Sequence, residues 1–212
     1  MTDHYEGAHG DRLAGAALIA AAAASVLAMA HHPSGAHGGA LGGIVHGAMI
    51  VLLALQVFGF THFARRRGLA RPAILAGLVA YGISLFGHVA AATINGFVVP
   101  AIAARGHGAV SHDIFLFAWE ANQAFARLGV YATGTAFILW SLDLLRRDAG
   151  WSRLIGLAGI AAGVVPAALL ASGAIHMNVG GAFIVYAIHA AWAALVGVML
   201  FREAGRGDPI EG

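Results

Sequence analysis

Apolar residues gather into six runs, at about residues 13–30, 41–63, 72–102, 113–145, 154–175 and 178–201. Each is close to or longer than the roughly 20 residues that carry a helix across a bilayer core. The breaks between them hold turn and helix-end signals: His-His-Pro-Ser-Gly at 31–35, Arg-Arg-Arg-Gly at 65–68 before Pro72, Arg-Gly-His-Gly at 105–108, the stretch from Arg146 to Gly150, and Asn178 after His176. The pattern predicts an all-α polytopic membrane protein, a six-transmembrane-helix bundle forming a single domain over residues 1–212.

Arginine placement orients the bundle. One lies in the N-terminal segment (Arg12), four at 64–71, three at 146–153 and two in the C-terminal tail, whereas the alternate connections together carry Arg105 alone. Basic residues are retained on the cytoplasmic face. Both termini are therefore expected in the cytoplasm of a bacterial-type inner (plasma) membrane, with the His-rich connections at 31–40, 103–112 and 173–178 facing outward. Ala28-Met29-Ala30 also has the small-residue form of a signal cleavage site. The run before it is longer than a usual signal core and its basic region is one Arg, so it is taken as a span; cleavage would leave five spans and the same charge pattern.

Polar side chains inside the runs mark where chemistry could sit, because hydrocarbon offers them no water. At about 1.5 Å per residue, His46, Glu120 and Asn95 fall in the shallow outer part of their helices, His88, Arg127 and His189 near the middle, and His176 at the outer rim. At about 100° per residue, Tyr81, Ser84, His88 and Asn95 share one stripe, and Glu120, Gln123, Arg127 and Tyr131 share another. Asn178 and His189 share a face close to Trp192, and His46 stands one turn from Met49 with Gln56 further round. The expectation is that these seams face one another around an outward-opening polar cavity. Asn122 points off the Glu120 stripe and is assigned to helix–helix bonding.

Composition narrows the chemistry. With 59% apolar and 10% charged residues and a mean hydropathy of +0.78, a soluble domain is excluded, since about a quarter of its residues would be charged. The net charge of +2 points to no nucleic acid. The chain has no Cys, which removes disulfides, iron–sulfur clusters and thiolate zinc sites. It has no Lys, which removes retinal Schiff bases and P-loops. Metal chemistry is left to His, Met and oxygen.

Three uses of such a cavity follow. Haem b would need two imidazoles from facing helices, a part His88 and His189 could play, with Arg127 answering a propionate. His46 and His62, sixteen residues apart on one run, face directions roughly 160° apart, so two stacked haems are excluded. A His-ligated metal ion would draw on His46, His88, His189, Glu120 and His176. Copper is favoured over zinc or iron, because reduced copper also accepts thioether sulfur, and Met29, Met49 and Met177 stand beside outer histidines. Outward His31, His32, His37, His107 and His112 could gather the metal. The third use is transport of a metal or small solute past Glu120, His88, His189 and Arg127. Hydrolysis fits less well, since no HExxH, GxSxG or close carboxylate pair occurs. The leading expectation is a redox membrane protein with haem or copper in the outer half, within reach of the lipid bilayer and of quinone. The alternatives are the transporter and a non-catalytic subunit bound to other membrane subunits.

Overall fold

The computed structural model describes residues 2–32, 39–105 and 111–206. The described residues are helical throughout their ordered elements and contain no strand. α1 spans Thr2–Ala30, α2 Gly39–Arg67, α3 Pro72–Thr93, α4 Val99–Ala103, α5 His112–Arg147, α6 Trp151–Ala171 and α7 Val179–Arg206, with a π-helical turn at Ile94–Val98 joining α3 to α4. Six of these stretches are long and apolar enough to cross a membrane, α3 and α4 counting as one. His37 and His107 lie outside the described residues.

Local chemistry sets the ends. Pro72 occupies the first turn of α3, where its missing N–H costs nothing. Ser111 caps α5 by accepting from the Asp113 N–H at 3.2 Å. Gly68 ends α2 with φ at 99°, its N–H bonding back to Ala64 and Arg65 carbonyls. α1 begins well before its apolar run because its first turns carry Asp, His and Glu, which hydropathy cannot read as span.

Each helix packs on its chain neighbours, and α1 closes the ring on α7. Small residues let backbones meet: a Cβ on Gly134 of α5 would lie 2.6 Å from the Gly163 carbonyl oxygen of α6, and one on Gly163 2.5 Å from that of Gly134. The middle of the ring is aromatic. Phe60, Phe137, Trp140 and Trp192 are almost wholly buried and pack ring against ring, some stacked and some tilted, at centroid distances of 4.1 to 6.4 Å. Trp140 is central, its indole N–H donating to the Ile74 carbonyl at 3.2 Å.

The two ends of the ring differ. At one, buried Asp143 of α5 receives Arg67 at 2.6 Å, Arg71 at 3.3 Å and Arg147 at 3.2 Å, while Arg67 also reaches Asp148 at 2.8 Å. Asp11 of α1, 1% exposed, pairs there with His62 at 2.7 Å and Arg66 at 3.1 Å. We call this the arginine end. The opposite end holds a polar cavity.

Candidate functional site

The cavity measures about 90 Å³ and is lined from five spans, α1, α2, α3, α5 and α7, and the connection before α7. Its chemical lining is His32, His46 and His88, the thioethers Met29, Met49 and Met177, Asn95, Asn122 and Asn178, and Tyr186. The three methionines are each 7% exposed. All three Met residues that the sequence pairs with outer histidines thus converge on one space.

His46 is held in a defined way. Its Nδ1–H donates to the Gly42 carbonyl one turn back at 2.7 Å, a partner that can only accept. That bond fixes the tautomer, so Nε2 of the neutral ring keeps its lone pair, the arrangement metal-ligating histidines adopt. The ring of His32 meets that of His46 edge to face at 5.0 Å. Its position follows from α1 ending against the start of α2. The His46 side chain lies against Gly96 of the π turn, where a Cβ would come within 2.5 Å of the His46 Cβ.

The π turn has a local cause. Pro100 has no N–H to offer the Gly96 carbonyl, and the Val99 N–H bonds instead to the Ile94 carbonyl, five residues back. The turn redirects Asn95 into the cavity wall. Such turns recur at functional sites.

His88 forms the floor. Its Nε2 lies 3.2 Å from the Thr133 hydroxyl and its Nδ1 3.2 Å from the Tyr186 hydroxyl, tying α3, α5 and α7 together. With a hydroxyl near each nitrogen, His88 sets the polarity of the cavity floor. Gln123 shapes another wall by gripping the Met177 backbone, donating Nε2–H to its carbonyl at 3.0 Å and accepting its N–H at 3.1 Å. Asn122 donates to the Ala91 carbonyl at 2.8 Å, the helix-to-helix bond expected of it.

The other candidate residues lie elsewhere. His189 is buried but does not line the cavity; its ring sits edge to face with Phe137 at 5.2 Å and hydrogen-bonds the Ala162 backbone. Its Nε2 has no protein partner among the described residues. His176 is exposed at the rim. Glu120, Arg127 and Tyr131 sit on the exposed outer face of α5, and of their stripe only Gln123 is buried.

These positions discriminate between cofactors. The cavity, about 90 Å³, is smaller than the roughly 300 Å³ at which organic-ligand pockets begin. Arg127, meanwhile, points away from it. Among the described residues no three His, Asp or Glu side chains gather as a metal site, which zinc or non-haem iron would ask for. The cavity wall sets the imidazoles of His32 and His46 beside three thioethers. Between α6 and α7 runs an apolar groove of about 370 Å³ over Trp192, without a polar group to hold a quinone head.

No protein-family model, curated protein or solved structure matches this chain.

Proposed function

We propose that this is a six-span membrane protein that holds a copper ion, as Cu(I), in the cavity at the end away from the arginines, with a one-electron redox role. The observation that carries the proposal is the convergence of the His32 and His46 rings, 5.0 Å apart, with Met29, Met49 and Met177 around one small cavity. Soft thioethers and imidazole select Cu(I) over harder ions. The bond from His46 to Gly42 supplies the outer-sphere partner that orients such a ligand.

Membrane insertion is supported by the six apolar helices, and the orientation by arginine placement, which sets both termini in the cytoplasm and the cavity toward the outside. The stacked aromatics between cavity and arginine end favour a bound ion over a transported one, because a carrier needs a second exit.

The test is competition between detergent-purified protein and a calibrated Cu(I) chelator. Wild type is expected to take one Cu(I) per chain, and X-ray absorption to show nitrogen and sulfur neighbours together. His46→Ala should weaken binding at least tenfold and Met49→Leu by less, each without loss of helicity. Unchanged affinity in His46→Ala would overturn the assignment, as would an ion seen with oxygen neighbours only.

A further inference from the structure

We infer that a second copy of this chain docks along the outer face of α5, pairing Arg127 of each copy with Glu120 of the other. The inference uses only the membrane-spanning part of the proposal above and is independent of copper.

Arg127 lies about 22 Å along α5 from its start at His112 and about 24 Å from Asp143, at 1.5 Å per residue. A bilayer core about 30 Å thick that ends near the ion pairs of Asp143 therefore contains it. Nevertheless Arg127 is exposed, and so is Glu120 two turns earlier. A cation in hydrocarbon is expected to face protein or a water-filled cavity rather than lipid, and neither residue faces the cavity described above.

The surrounding positions describe what covers them. Phe117, Glu120, Ala124, Arg127 and Tyr131 are all exposed, with Phe117 at 75% and Tyr131 at 39%. Their spacing of three and four residues keeps them on one face of α5, along which a second helix can lie. A helix surface meant for lipid has no need of two opposite charges within it.

A copy of the same chain supplies the complementary charges. Two chains inserted in the same direction are related by an axis along the bilayer normal, so their α5 helices run parallel with Glu120 and Arg127 at matching heights. Long helical side chains lean toward the N-terminus, which directs Arg127 up toward the neighbouring Glu120. One heptad, about 10.5 Å, is within the joint reach of an extended Arg and Glu. The resulting group of two carboxylates and two guanidiniums is neutral.

Because the chain has no Cys, one introduced thiol reports one position. Ala124→Cys should form a disulfide-linked dimer in native membranes under mild oxidant, while Leu157→Cys, exposed on α6, should not. Two differently tagged copies should co-purify when both are wild type. Glu120→Arg with itself, and Arg127→Glu with itself, should each lower recovery at least tenfold. Glu120→Arg co-expressed with Arg127→Glu should restore it, since opposite charges then face each other between chains while each chain alone carries like charges. Failure of that mixed pair to recover, or equal cross-linking at 124 and 157, would overturn the inference, as would a face occupied by lipid phosphate or a different chain. Alkaline extraction of the same membranes separates the causes: a chain released by carbonate refutes membrane insertion, whereas a retained but monomeric chain refutes the docking.

Discussion

His189 shows how a buried polar residue acquires a structural reason. Pro166 lies within α6 and withholds the N–H that would meet the Ala162 carbonyl, and the His189 ring bonds to that backbone group instead. His189→Leu should therefore cost about 1–3 kcal/mol, the penalty of an unpaired buried carbonyl. In a Pro166→Ala background, which returns a backbone donor, most of that cost should vanish. Unfolding of the four combinations in detergent measures the coupling, and equal costs in both backgrounds would dissociate the two residues. Sequence located His189 in a span but could not see that its partner is a carbonyl orphaned by a proline on another helix. The same limit affected Glu120 and Arg127. Helical spacing gave their common stripe correctly, but a stripe does not say whether it turns inward. That His46, Met49 and Met177 share one end of the bundle was legible from their places in α2 and just before α7, whereas the place of His32 required knowing that α1 stops beside α2.

Among the elements, the π turn at Ile94–Val98 connects a proline to the cavity wall. Pro100→Ala would give the Gly96 carbonyl an α-helical donor and let the segment return to regular helix. Asn95 would then rotate off the cavity and the seat of His46 on Gly96 would shift. Cu(I) affinity is expected to fall about tenfold with thermal stability maintained; an unchanged affinity would remove the turn from the site. The α5–α6 contact gives a second prediction. Gly163→Val places atoms where the Gly134 backbone already lies and should cost about 1–3 kcal/mol or more as overpacking, read as a lowered Tm. The six spans were legible because apolar length is a property of sequence alone. Their extra turns were not, since α1 and α7 continue into polar residues, and the π turn was hidden because Pro100 reads equally well as the end of a span.

Across the whole molecule, the arginine end acts as a clasp joining the connection after α2 to the connection after α5. Asp143 is its centre, and Asp143→Ala would leave Arg67 half-buried without its closest carboxylate. A loss of about 1–3 kcal/mol is expected, because Arg67 keeps Asp148 while its bonds to Asp143 go unmade. The loss should be visible as earlier unfolding of the detergent-solubilised protein, while Cu(I) affinity of the still-folded fraction stays within twofold. Affinity falling in step with stability would mean the two ends are coupled.

The stacked rings of Phe60, Phe137, Trp140 and Trp192 give the protein a stopper between its mouth and its base. A vessel with one mouth releases its content on the side from which it was filled. On the proposed reading no ion gradient would be spent through it, and how long a guest stays would depend on exchange at that opening.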